Sequence, residues 1–242
     1  MPQLCKIPNH TLFLKKYSWI YFLEVYFTMT FDTTIVKKTQ DIDRVNEVLV
    51  SAFKDVGTSR LFVRRLHKIP DTHLELDEKL FDFRDRLSYH LKQGGIILES
   101  NDFNAIAIWY SPDVKFEPFA SPDEQTRPAI VEKFYNSSLD AKHNYFKDNR
   151  FWYLNTLARN KNQEPIKGAI SVIIDPVVKE CKLKSIPIYV EAISEHAKEI
   201  YLHYGFEIIR TLTLGKAQVD RQGIPARNGE GVNVYFMVLK CS

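Results

Sequence analysis

Residues 198–209, KEIYLHYGFEII, carry a helical pattern up to Tyr-Gly-Phe and a strand pattern directly after it. Ala197, Ile200, Tyr201 and Tyr204 fall at i, i+3, i+4 and i+7 and so share one helix face. Gly205 stands where a left-handed cap residue is wanted, and glycine lets the chain reverse there cheaply. Phe206 can then plug the junction between helix and sheet. Taken alone, this turn needs no explanation beyond packing.

Read along the chain, the pattern is mixed α/β. TTIVKKT (33–39) reads as a short strand, and from Asp41 onward Ile42, Val45, Leu49, Ala52 and Phe53 repeat at helical spacing. Thr58 to His67 suits a second helix. Leu76, Leu80, Phe83, Leu87 and Leu91 fall on one face of a longer one that stops at Gly94-Gly95. GIILES (95–100) and NAIAIWYS (104–111) read as two strands of a hairpin turning at Asn101-Asp102, closed by Pro112. Residues 112–149 hold several prolines and an aromatic-rich helical patch, AIVEKFYNSSLDAKHNYF, expected to be an insertion lying against the main sheet. FWYLNTLA (151–158) is a strand; a polar loop then leads through Pro165 into a helix bearing Ile166, Ile170, Ile173, Val177 and Cys181. Strands follow at 186–193, 206–214 and 232–240, with a helix from Glu195 to Tyr204 and a turn-rich loop from Asp220 to Gly231. The C-terminal half thus contains a βαβαβ stretch.

A chain of 242 residues with 45% hydrophobic and 26% charged residues suits one globular domain. No stretch reaches the roughly 18 apolar residues of a membrane span, and no secretory signal is evident, so a cytosolic or nuclear location is expected. Cys5, Cys181 and Cys241 show no CxxC spacing and the histidines are scattered, so reduced thiols and no metal site are expected. Lys6, Lys15, Lys16 and Glu24 account for +2 of the formal net charge of +3. The remainder is near neutral and lacks basic blocks, which argues against a nucleic-acid partner. Residues 1–28 are aromatic-rich without periodicity. They are a membrane-contacting arm, a poorly packed tail, or a segment preceding the true start at Met29; the single domain is assigned to 29–242.

The run YVEAISEHAKEIYLHYGFEII resembles a segment of the GNAT acetyltransferases: a strand ending Leu-Glu-Ala, a helix carrying a tyrosine, then Gly-Phe and a strand. The matching positions are Val190-Glu191-Ala192, Tyr201 and Gly205-Phe206. FWYLNTLA resembles the family strand preceding the acetyl-CoA loop, AIAIWYSPD a hairpin strand of a fungal and bacterial subgroup, and VNVYFMVLK the family's last strand. The resemblance spans roughly residues 33–240. It implies the GNAT acyl-CoA N-acyltransferase fold: a mostly antiparallel twisted sheet of about seven strands with a splayed central pair, and helices on both faces.

The same resemblance implies acetyl-CoA as cosubstrate, with Thr156, Leu157 and Ala158 lining its pantetheine arm through main-chain groups. The stretch containing Lys167, Gly168, Ala169, Ile170 and Ser171 would take the pyrophosphate at a helix N-terminus, where amides are unpaired. The family's Gln/Arg-x-x-Gly-x-Gly/Ala loop motif is departed from here: one register places only Ala169 correctly, the other only Gly168. Tyr201 matches the tyrosine that protonates the leaving thiolate in many members, a role its phenol suits because it stays protonated at neutral pH. Glu191 is a candidate base for the acceptor amine or a backbone-bonding group, and His143 a weaker candidate base. Trp109, Tyr110 and Tyr153, with Phe116, Phe119 and Tyr135, are expected to wall the acceptor pocket. The expected activity is acetylation of a small primary amine by direct transfer in a ternary complex, with a homodimer compatible. The alternatives are acetylation of a protein lysine or N-terminus, and a degenerate GNAT module serving as a binding scaffold.

Overall fold

The computed structural model describes residues 35–119, 127–147 and 149–241. Residues 1–28 and the proposed domain start at Met29 lie outside the described residues. In chain order the elements are β1 (Val36–Lys38), α1 (Ile42–Phe53), α2 (Gly57–Leu66), a 3-10 turn (Glu78–Leu80), α3 (Arg84–Lys92), β2 (Ile96–Ser100) and β3 (Ala105–Tyr110). There follow α4 (Ala129–Phe146), β4 (Trp152–Arg159), α5 (Ser171–Lys184), β5 (Ile188–Ala192), α6 (Glu195–His203), β6 (Glu207–Leu214) and β7 (Val232–Leu239). Among the described residues the strands form one seven-stranded sheet, ordered β1-β2-β3-β4-β5-β7-β6. Each neighbouring pair is antiparallel except β4 and β5, which run parallel.

Period-two alternation sends successive side chains to opposite faces, and both faces are covered. On one, Ile106, Ile108 and Tyr110 of β3 join Tyr189 and Phe236 under α1, α2 and α4, which contribute Val45, Leu49, Leu61, Ala141 and Phe146. On the other, Ala105, Ala107 and Trp109 join Val190, Ala192 and Met237 under α5 and α6, which contribute Ile173, Val177 and Tyr201. Burial on both sides explains why β3 reads as an unbroken apolar run rather than alternating.

The turn at Tyr-Gly-Phe is a Schellman cap. The Phe206 amide donates to the Tyr201 carbonyl at 3.0 Å and the Gly205 amide to the Leu202 carbonyl at 2.9 Å, with Gly205 left-handed at φ +88°. At the other end of α6, Ser194 Oγ accepts the Ala197 amide at 3.1 Å. Phe206 is buried and its ring lies 5.4 Å from that of Tyr201, so the cap also seats α6 on the sheet.

Three expectations are corrected. The helix anticipated through Leu76 to Leu91 is broken into the 3-10 turn and α3. Asp77 accepts the Lys79 amide at 2.9 Å and Asp82 the Arg84 amide at 3.0 Å, so each acidic side chain starts a new turn instead of continuing an old one. The hairpin at Asn101-Asp102 is wider than a two-residue turn: Asn101, Asp102 and Phe103 are all left-handed, steadied by Glu99 Oε2 accepting the Phe103 amide at 3.0 Å. Cys181 of α5 and Cys241, just past β7, are joined as a disulfide rather than held as separate thiols, because β7 brings the chain end back beside α5.

Candidate active site

The site is built around the one parallel pair. β4 stays paired with β3 from Tyr153 to Arg159 but with β5 only at Trp152↔Ile188, Tyr153↔Tyr189 and Leu154↔Val190. The parting starts at a bulge: Ile108 opposes Thr156 and Trp109 opposes Leu154, which leaves Asn155 without an opposite residue. A bulge adds local twist and bends its strand, and from Asn155 onward β4 and β5 diverge. Asn155, Thr156 and Leu157 are half-buried, whereas Ala158 is buried. Along the diverging edge the β4 main chain has no ladder partner among the described residues.

Glu191 follows the last paired position of β5 and so stands at the mouth of the split. Tyr153 OH donates to its Oε2 at 2.7 Å, Ser138 Oγ donates to Oε1, and Lys142 Nζ lies 3.2 Å from Oε1. Asn155 Nδ2 in turn donates to Tyr153 OH at 2.9 Å. Ser138 and Lys142 are four residues apart on α4, which puts both on its sheet-facing side. The Lys142 ammonium sits 3.9 Å from the Tyr153 ring centre, 4.8 Å from Tyr189 and 5.2 Å from Phe116. Burial pulls the Lys142 pKa down against the opposing charge of Glu191, and burial followed by that same charge pushes the Tyr153 and Tyr189 phenols well up.

Behind this cluster Tyr110 stacks on Tyr153, with ring centres 5.9 Å apart, and Tyr110 OH shares a 2.6 Å hydrogen bond with His90 Nδ1. Burial, aided by Arg86, drives the His90 pKa down to about 3, so the imidazole is neutral. Of the residues expected to wall the pocket, Tyr153 touches Glu191 and Tyr110 backs it. Trp109, one residue before Tyr110, points through the sheet to the α5 face and packs edge-on against Trp152. His143 is exposed on α4 and takes no part in the cluster.

Tyr201 approaches from the α5 and α6 face. Its ring is 5% exposed, yet its hydroxyl makes no hydrogen bond among the described residues. Burial first, and the charge of Glu191 second, push its pKa up, which keeps the proton on the oxygen.

At the far end of the split, the loop after β4 is pinned by Asn104, whose Nδ2 donates to the Glu164 carbonyl at 2.7 Å and whose Oδ1 accepts the Ile166 amide at 3.1 Å. Gly168 is left-handed and exposed, and a Cβ there would meet no atom within 4 Å. The glycine therefore serves the backbone turn rather than making room. Val172 N–H folds back to the Gly168 carbonyl at 3.0 Å, while the Gly168, Ile170 and Ser171 amides have no acceptor among the described residues. Lys167 is exposed beside them. Ala169 is buried, and its carbonyl accepts Ser100 Oγ at 2.7 Å, so it anchors the loop from inside. An open cleft of about 600 Å³ lined by Asn46, Glu47, Asp77, Glu78 and Asp82 contains neither Glu191 nor Tyr201.

Sequence reasoning passed over Lys142 and Ser138. The available signal was a lysine four residues after a serine and next to Ala141, on the stripe of α4 that the structure buries.

A seven-stranded sheet whose one parallel pair parts at a bulge, with a carboxylate at the mouth and open amides at a helix start beyond it, is the arrangement of the GNAT fold. Comparison with known proteins agrees. Residues 37–115 match a family model described as the YOR012W acetyl transferase domain. The chain is 29% identical over 209 residues to the uncharacterized protein YDR391C of Saccharomyces cerevisiae, covering 84% of this chain and 85% of that one. It is 27% identical over 145 residues to the uncharacterized N-acetyltransferase C550.08 of Schizosaccharomyces pombe, covering 54% of this chain and 57% of that one. In fold it is similar to arylalkylamine N-acetyltransferase 2 from Aedes aegypti, with a TM-score of 0.53 and 12% identity over 86% of this chain and 98% of the other. The fold is thus that of the GNAT acetyltransferases, and part of the sequence is similar to an acetyltransferase family model.

Proposed function

We propose that this protein moves the acetyl group of acetyl-CoA to the primary amine of a small molecule, both bound at once at the β4/β5 split. The observation that carries the reading is the split itself, where β4 parts from β5 at a bulge with the hydrogen-bonded Glu191 carboxylate at its mouth. Tyr201 lies on the opposite face of the sheet, its phenol kept protonated by burial and by the charge of Glu191. The donor side fits acetyl-CoA. The open β4 edge at Thr156, Leu157 and Ala158 offers main-chain groups to a pantetheine arm, and the Gly168, Ile170 and Ser171 amides with Lys167 offer donors and positive charge to phosphates. When bound, acetyl-CoA supplies an activated acyl group.

The chain's own residues do the rest. Glu191 draws an incoming ammonium to the mouth of the split and, with water, relays its proton so that the amine is neutral when it attacks. Tyr201 OH donates a proton to the departing sulfur. Holding the two substrates together, rather than either side chain alone, would contribute most of the acceleration. A small acceptor is favoured over a protein segment because α4 and Phe116 close over Glu191, whose side chain is only 6% exposed.

Titration calorimetry with acetyl-CoA, paired with thiol-release assays on butylamine, phenethylamine and a lysine peptide, tests the reading. Acetyl-CoA binding, together with turnover of the free amines and loss of turnover in Tyr201→Phe, is expected. Turnover of the peptide alone would move the acceptor to proteins, and no acetyl-CoA binding would overturn the assignment.

A further inference from the structure

The cluster around Glu191 already contains what an amine acceptor would bring to it. Lys142 Nζ is a primary ammonium on an unbranched alkyl arm, 3.2 Å from a carboxylate oxygen and faced by three aromatic rings at 3.9, 4.8 and 5.2 Å. Its side chain is 12% exposed. Glu191 has further donors in Tyr153 and Ser138, so the carboxylate does not depend on Lys142 alone for its hydrogen bonds. The lysine comes from α4, the helix of the insertion, not from the sheet that builds the split.

We propose that the Glu191, Tyr153, Tyr189 and Phe116 box is the acceptor's ammonium site, that Lys142 is its built-in occupant, and that the acceptor is a primary ammonium on an unbranched, lysine-like alkyl arm that displaces it. The proposal rests on the acetyltransferase reading and narrows its acceptor. Three features of the box select that class. A carboxylate oxygen at hydrogen-bond range asks for N–H donors, which a quaternary ammonium lacks. The ring faces favour a cation over a neutral amide. The Lys142 stem marks the shape of the arm that fits beneath them. Because an occupied site is competent only in the fraction of molecules where Lys142 has left, the free enzyme binds acceptor more weakly than the box itself would.

The test uses n-butylamine as the probe on full-length Lys142→Met and Lys142→Gln proteins, with calorimetric binding as the readout so that no turnover is needed. Both variants are expected to bind n-butylammonium at least about tenfold more tightly than the parent protein. Adding Glu191→Gln to either is expected to erase the gain, and tetramethylammonium is expected to show none. Variants that stay folded and bind n-butylammonium no better than the parent overturn the proposal. Failure of both variants to fold overturns it as well, because an occupant that substrate must displace cannot be indispensable to the fold. Acetyl-CoA binding in the same samples reports separately: its absence would strike the acetyltransferase reading while leaving the amine measurement to stand or fall on its own.

Discussion

The two sides of the β4/β5 split are built in opposite ways. On the side proposed for the acceptor, Ser138, Tyr153 and Lys142 converge on the Glu191 carboxylate, and His90 Nδ1 and Tyr110 OH share a hydrogen bond behind it. On the donor side Tyr201 OH and the Gly168, Ile170 and Ser171 amides have no partner among the described residues. Unpaired polar groups are tolerated only where water or a ligand reaches them, whereas buried charge survives only when it is matched. The proposed donor side thus leaves its donors open, and the proposed acceptor side matches its buried charges from within the chain.

The contrast breaks most sharply at Glu191. Glu191→Leu strands the Lys142 ammonium in a desolvated ring box and is expected to cost about 3–5 kcal/mol in urea unfolding. Lys142→Met together with Glu191→Leu should return most of that, and failure to do so would show that the pair is not the unit described.

The donor side should respond in rate rather than stability. Tyr201→Phe is expected to lower kcat by about 10² or more, with acetyl-CoA affinity and melting temperature close to unchanged. A fall in stability without a fall in kcat would return Tyr201 to the core.

Acid should weaken the acceptor side first. The folded pKa of His90, about 3, lies below its usual 6.5, so the unfolded chain takes up a proton that the folded one refuses. The stabilising contribution is complete above pH 6.5 and is lost as the pH falls toward 3, at up to about 1.4 kcal/mol per pH unit. Replacing His90 and Tyr110 together by phenylalanine should flatten that limb of the stability profile.

The smallest effect is expected at Gly205, where alanine would have to hold φ near +88°. A loss of about 1 kcal/mol in thermal unfolding, with kcat unchanged, would mark the cap as structural.

How much of this was legible in the sequence differs by region. The Gly205 cap, the apolar run of β3 and the order of strands in the C-terminal half follow from local spacing, and the GNAT resemblance placed Glu191 and Tyr201 on β5 and α6, where the structure also has them. The loop proposed for the pyrophosphate was harder, because its open amides come from backbone geometry around Gly168 rather than from a side-chain motif. The run from Leu76 to Leu91 kept helical spacing but is broken at Asp77 and Asp82, whose side chains compete for backbone amides.

By itself, then, the sequence determined most of the helix and strand segments and which faces are apolar, since those depend on residues three or four positions apart or alternating along a strand. Only the tertiary structure decided that Lys142 of the insertion meets Glu191 and that Cys181 meets Cys241. Each of these depends on which helix covers which face of the sheet. That choice is made by the joint burial of distant segments, which no local pattern encodes.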